Sequence, residues 1–309
     1  MLKNLLKTPI RALFGPPHTW RYAVDAQRQC VDLRARLDDA FVWASENVKK
    51  CSDEPVFILS AGWRSGSTLL QRMLMQNNER ILIWGEPFHQ SNILDCMMNQ
   101  FRCFTAEWPK ERHFLSRRND RKLSDQWIAN LYPDVDFLIK SHRQFFDCLF
   151  AEPARSQGCS QWGLKEVRLT IDHANYLRAL YPQAKIILLC RNPFEAYRSF
   201  FKVHDAWFAK WPIKVVATPY AFGKQWKNLT EGYFRGYEGI NAVFVRYEML
   251  EFRETAEMLE RYVGWRVSPS SALATIVGEN TDDLKPKLPT VDKVILASVT
   301  SSVRRDVGY

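Results

Sequence analysis

Residues 56–61 form an apolar run that ends in Gly62-Trp63-Arg64-Ser65-Gly66, and a helical pattern opens at Ser67. No other part of the chain narrows the fold so far. A strand that turns sharply into a helix on glycines is the opening unit of a parallel α/β sheet. The remaining chain repeats the alternation. Strand-like runs stand at 81–84, 137–140, 161–166, 185–190 and 242–246. Helical patterns stand at 28–49, 67–76, 171–180, from Phe194 onward, and at 220–237 and 251–263. Ile186, Ile187, Leu188 and Leu189 are unbroken, as in strands buried on both faces. The expected fold is α/β, a doubly wound parallel sheet flanked by helices. A helical arm at 1–50 precedes a single domain at 51–309.

Hydrophobic residues make up 46% of the 309, which supplies a sizeable core and excludes a disordered chain. The formal net charge is +9. Such a balance suits an anionic ligand, a nucleic acid or an acidic membrane surface. The basic residues are dispersed, with short pairs such as Lys49–Lys50, Arg117–Arg118 and Arg304–Arg305, and no basic tail points to a nucleic-acid partner. Seven cysteines contain no CxxC pair, so neither a zinc site nor a disulfide framework is expected, and a reducing, cytoplasmic setting follows. No apolar run is long enough to span a membrane. In residues 1–14, Leu2, Leu5, Leu6, Ile10 and Leu13 alternate with Lys3, Lys7 and Arg11. Such a segment either packs on the domain or makes a peripheral contact at the inner membrane surface.

The loop carries the first chemistry. Glycines let backbone approach a phosphate, and N–H groups at a helix N-terminus cradle its oxygens. Arg64 adds a forked cation, and Ser67 and Thr68 add hydroxyl donors. Arg64, Ser65, Gly66, Ser67, Thr68 and Leu69 are therefore the candidate anion loop. An ordinary turn with a serine cap has the same letters, but the flanking strand and helix favour phosphate. No lysine precedes the Ser67-Thr68 pair, so the GxxxxGK[ST] pattern of kinases and ATPases is missing. Strand ends at Lys140, Lys165-Glu166, Arg191 and Arg246 are rich in cations. They suggest that side chains, and no metal, neutralise the anion.

In the second motif, Lys185–Cys190 delivers Arg191 to a strand end, and Pro193 starts a helix that carries Ser199 two turns on. Arg191 and Ser199 can reach one anion together, although Arg191 could also pair with Glu195.

The two segments together resemble the sulfotransferases that use 3′-phosphoadenosine-5′-phosphosulfate (PAPS), in the bacterial and carbohydrate-type branch. The first is similar to that family's 5′-phosphosulfate loop. The second is similar to its 3′-phosphate motif, an arginine with a serine eight positions later. Trp84-Gly85-Glu86-Pro87, Trp162–Arg168 and Phe244–Glu248 resemble further family segments in order, and Val303–Tyr309 resembles how many bacterial members end. The glycine-rich RKGxxGxW segment of the cytosolic hormone and phenol enzymes is missing.

The resemblance implies a P-loop-like fold and PAPS as co-substrate, with no metal. It implies a hydroxyl acceptor, on a glycan, glycolipid or other carbohydrate. It makes Glu86 the base and sets Lys165 over the sulfuryl group. Tyr247 lies near the nucleotide. Arg168 reaches acceptor or cofactor, or pairs with Asp172. His142, in a Lys-Ser-His string, is the rival base. The aromatic stretches at 99–136 and 205–239 are expected on the acceptor side. Two other classes compete: a kinase or NTPase with a divergent loop, separable by magnesium dependence, and a basic nucleic-acid-binding module, separable by salt dependence.

Overall fold

A computed structural model describes residues 54–86, 88–103, 113–115, 122, 128–133, 135–201, 216, 218–272 and 287–309. The expected arm at 1–50 lies outside them, as do 104–112, 116–121, 123–127 and 134 of the first aromatic stretch and 205–215 and 217 of the second. In chain order the elements are β1 (Val56–Ser60), α1 (Ser67–Met75), β2 (Ile81–Trp84), α2 (Phe88–Asn99), α3 (Val135–Phe146), α4 (Glu152–Ser156), β3 (Gln161–Val167) and α5 (Ile171–Leu180). There follow β4 (Lys185–Cys190), α6 (Pro193–Phe201), α7 (Pro219–Gly236), β5 (Val243–Arg246), α8 (Arg253–Val263) and α9 (Thr290–Asp306).

The sheet order is β2-β3-β1-β4-β5, and every pairing is parallel. All five residues of β1 are buried, since β1 is central and both faces are covered. Phe57 and Leu59 face the cluster with Leu164, Ile186, Leu188 and α5 residues such as Tyr176 and Leu177. Val56 and Ile58 face the other way, against Leu70, Met73 and Leu74 of α1 and Leu259 and Val263 of α8. A third cluster joins α6, α7 and α9 through Tyr197, Trp226, Leu296 and Val303. The chain builds strands on one side of β1 and then crosses to the other. The switch therefore falls beside β1, and in such sheets ligands bind at the carboxyl ends of the strands.

Two expectations need correction. Residues 137–140 are no strand; they lie inside helix α3. A run of three apolar residues, Phe137–Ile139, cannot by itself tell strand from helix. Val135, Leu138, Ile139, His142 and Phe146 form one helical stripe, and burial of Ile139, His142 and Phe146 decides the matter. Lys140 is thus no strand-end cation; it is exposed, with its ammonium 5.5 Å from the Phe137 ring. No helix among the described residues is long and apolar enough to cross a membrane.

Candidate active site

The site is assembled from the segments that leave the carboxyl ends of the strands. After β1 the chain turns through Gly62, Arg64 and Gly66, all at positive φ. Ser65 is buried, and its hydroxyl lies 2.8 Å from Ser60 Oγ and 2.9 Å from the Gly62 carbonyl, which ties the loop to itself. Gly66 caps α1 at φ 86. A Cβ there would lie 2.0 Å from Tyr247 Cδ2, so the Tyr247 ring rests directly on the loop because this residue has no side chain. The Leu69 and Leu70 N–H groups donate to the Gly66 carbonyl at 3.0 and 3.1 Å. The N–H groups of Ser67 and Thr68 open the helix and have no intrahelical acceptor. Ser67 is buried and Thr68 is exposed. The donors this loop offers are therefore Gly66, Ser67 and Thr68, while the Leu69 N–H is already engaged.

Two guanidinium groups meet over this loop. Arg64 Nε donates to Ser199 Oγ of α6 at 2.9 Å. Arg191, just past β4, donates from Nη1 to the Arg64 carbonyl at 3.0 Å. Its guanidinium stands 4.2 Å from the Tyr247 ring centre. Arg64, Arg191, Ser199, Gly66 and Tyr247 are thus brought together. Burial, and then the neighbouring Arg191, lowers the Arg64 pKa. Among the described residues, neither arginine is ion-paired with a carboxylate. Arg198, and not Arg191, pairs with Glu195. Like charges held together without a counter-charge disfavour one another, and a bound anion would relieve this.

A second group lies past β2 and β3. Lys165 Nζ sits 2.8 Å from Glu86 Oε1, and Arg168 Nη2 sits 3.5 Å from Glu86 Oε2. The Lys165 and Arg168 side chains are 5% and 2% exposed, whereas that of Glu86 is 30% exposed. The carboxylate is therefore the member that an incoming molecule can reach. Lys165 is fixed by its place in β3, which pairs with both β1 and β2. Arg168 leaves β3 at φ 79, and its N–H donates to the Ser60 carbonyl at 3.1 Å. Its guanidinium lies 5.0 Å from the Trp63 ring, which joins this group to the anion loop. Burial pushes the Arg168 pKa down to about 10, against the opposing pull of Glu86 and Glu166.

Among the described residues, Arg168 is ion-paired with Glu86 and not with Asp172. The sequence held a weak signal for this. Lys165 and Arg168 flank one strand end, and two cations there call for a carboxylate from a neighbouring strand.

His142 sits elsewhere. It is buried on α3, with Nδ1 2.8 Å from Tyr176 Oη and Nε2 3.3 Å from Gln100 Oε1. The Phe101 ring packs edge-on at 5.0 Å. Burial lowers its pKa. Its partners, buried Tyr176 and exposed Gln100, include none of the residues around Glu86 or Arg64.

One group was not singled out in the sequence. Glu248 Oε1 accepts from the Asn192 N–H at 2.9 Å, and Glu248 Oε2 accepts from Tyr309 Oη at 2.5 Å. Trp226 Nε1 donates to the Arg191 carbonyl at 2.8 Å. No group of three or more His, Cys, Asp or Glu among the described residues could hold a metal ion.

A model described as the sulfotransferase family matches residues 55–269. No curated protein matches the chain. Among solved structures, a sulfotransferase from Alicyclobacillus acidocaldarius is 15% identical, with a TM-score of 0.40, covering 82% of this chain and 93% of its own. Sulfotransferase STF9 from Mycobacterium avium is 11% identical, with a TM-score of 0.43, covering 93% and 84%. The PezAT toxin–antitoxin system of Streptococcus pneumoniae is 13% identical, with a TM-score of 0.32, covering 90% and 98%. Scores this low carry no weight; the family match over more than half of the chain does.

Proposed function

Because the chain belongs to the sulfotransferase family, we propose that it transfers a sulfuryl group from PAPS to a hydroxyl of a carbohydrate or glycoconjugate. The observation that carries this reading is the uncompensated Arg64–Arg191 pair over the N-terminus of α1. A nucleotide with phosphate at both ends supplies the missing negative charge. The loop N–H groups of Gly66, Ser67 and Thr68, with Arg64, take the 5′-phosphosulfate. Arg191 and Ser199 take the 3′-phosphate, and Tyr247 lines the nucleotide between them.

Transfer is an in-line displacement. The acceptor oxygen attacks sulfur, and the bond from sulfur to the bridging phosphate oxygen breaks. The acceptor proton passes to Glu86, and 3′,5′-adenosine bisphosphate (PAP) leaves. Glu86 is the base because its carboxylate is partly open to solvent, whereas His142 is buried with both ring nitrogens already engaged, by Tyr176 and Gln100. Lys165 bridges the two tasks. Held 2.8 Å from Glu86, its ammonium can turn to the oxygen on which negative charge develops. Arg168 keeps the carboxylate aimed. The acceptor would be a glycan or glycolipid met at the inner face of a membrane, which the basic, leucine-rich residues 1–14 would approach.

The test is incubation with labelled PAPS and a panel of glycans, glycolipids and peptides, with and without a chelator. Label transferred to a carbohydrate, unaffected by the chelator, is the expected outcome. Label transfer confined to peptides would refute the acceptor class, and no transfer with PAPS, or binding of nucleic acid alone, would refute the donor.

A further inference from the structure

We infer that Tyr309 is a positioning residue for the nucleotide site, acting through Glu248 on Arg191. This rests on the reading of Arg191 as the group that takes the 3′-phosphate, and it goes further by naming what holds that arginine in place. Besides the bond from its Nη1 to the Arg64 carbonyl, Arg191 is fixed at three points. Its carbonyl accepts from Trp226 Nε1 at 2.8 Å. Its guanidinium lies 4.2 Å from the Tyr247 ring. The next N–H, that of Asn192, donates to Glu248 Oε1 at 2.9 Å. Tyr247 and Glu248 are neighbours in one short turn after β5, so the second and third points share a single anchor.

That anchor is held by the segment beyond α9. Tyr309 Oη donates to Glu248 Oε2 at 2.5 Å, and the Cys190 thiol lies 3.7 Å from the same hydroxyl. Burial raises the Tyr309 pKa far above its ordinary value, so the hydroxyl stays a donor. The Tyr309 ring also lies 6.4 Å from that of Trp226, the residue that caps the Arg191 carbonyl. Gly308 places the tyrosine: it sits at φ 78, and a Cβ there would lie 2.8 Å from Arg246 Nη1, which donates to the Gly308 carbonyl at 2.6 Å. One hydroxyl thus completes the hydrogen bonding of a carboxylate whose other oxygen sets the backbone beside Arg191.

The test compares PAP with adenosine monophosphate, which lacks the 3′-phosphate, by titration calorimetry on the unchanged protein and on Tyr309→Phe, Glu248→Leu and Glu248→Gln. A hydrogen bond to a charged group is worth about tenfold in affinity when fully transmitted. Tyr309→Phe and Glu248→Leu are expected to lower the PAP-over-monophosphate ratio about three- to tenfold. Glu248→Gln, which keeps an acceptor for Asn192, is expected to retain most of the ratio. A residue that only packs would lower the thermal midpoint and leave the ratio alone, and that result would overturn the role of Tyr309. If the unchanged protein itself shows no preference for PAP, the reading of Arg191 fails and the role of Tyr309 fails with it. Glu248→Leu strips a backbone N–H of its acceptor and can fail to fold; Tyr309→Phe, which keeps the ring against Trp226, then decides.

Discussion

Replacing Glu86 by glutamine separates chemistry from binding. The amide keeps the shape and can still accept from Lys165, but it cannot take the acceptor proton. Loss of a general base costs roughly 10² to 10⁴ in rate, or about 2.7 to 5.4 kcal/mol of barrier. The substitution also leaves two nearly buried cations, Lys165 and Arg168, beside a neutral group. Removing one partner of a fully buried pair costs about 3–5 kcal/mol. Glu86 is 30% exposed, and water screens the remainder, so about 1–2 kcal/mol is expected. In a chain of this size that is a fall of roughly 1.5–3 °C in the melting midpoint. The glutamine contacts neither Arg64 nor Arg191, so PAP affinity should change little. The assay is kcat from PAP release at saturating PAPS, with PAP affinity by calorimetry and the midpoint by scanning calorimetry. A Glu86→Gln protein with near-unchanged kcat would refute the assignment. A kcat loss matched by an equal loss of PAP affinity would show a collapsed site and not a missing base.

Arg64→Ala should weaken PAPS binding by tenfold or more, since it removes the only side-chain cation within the loop; titration with PAPS checks this, and unchanged affinity would show that Arg64 serves Ser199 alone. Gly66→Ala should displace the Tyr247 ring, which lies where the new Cβ would fall, at a cost of about 1–3 kcal/mol. Tyr247→Ala on the same background should restore part of the stability, as read by denaturant unfolding. His142→Gln should leave kcat within a few fold. It should also flatten the acid side of the stability curve. Because burial lowers the folded-state pKa of His142, its contribution is present above the unfolded value of about 6.5 and is lost as pH falls below it. The melting midpoint of the unchanged protein should therefore drop more between pH 7 and pH 5 than that of the variant.

What the sequence made legible was whatever local pattern decides. Five buried residues running into Gly62–Gly66 could only be a strand, a tight turn and a helix start, and β4 was as plain for the same reason. Residues 137–140 misled because three apolar letters, Phe137–Ile139, fit either period, and contacts between α3 and α5 settle which one is used. Arg168 was visible just past the strand at 161–166, but Asp172 was the carboxylate offered for it and Glu86 was not. Glu86 is brought to it by a β2–β3 pairing that links residues some eighty positions apart. Helix α9 was missed, and Tyr309 was read only as part of a family-like segment, for a similar reason. The apolar stripe is narrow, with Leu296 and Val303 as its buried points, and the bonds that give Tyr309 its meaning go to Glu248 and Cys190.

The central place of β1 has a consequence for the order of assembly. Its partners β3 and β4 lie more than a hundred positions further along the chain, and the loop it carries is closed by bonds to Arg191 and Ser199 across 127 and 135 positions. Pairings so distant make folding slow, because the entropy of closing long loops is spent before the contacts are gained. During synthesis, at about 5–20 residues per second, β1 leaves the ribosome many seconds before the strands that flank it. Its four apolar residues, Val56–Leu59, are exposed for that interval, and chaperone contact on nascent chains should concentrate there until β4 has emerged. Competence to hold an anion comes later still, once the segment around Glu248 can lock against Arg191.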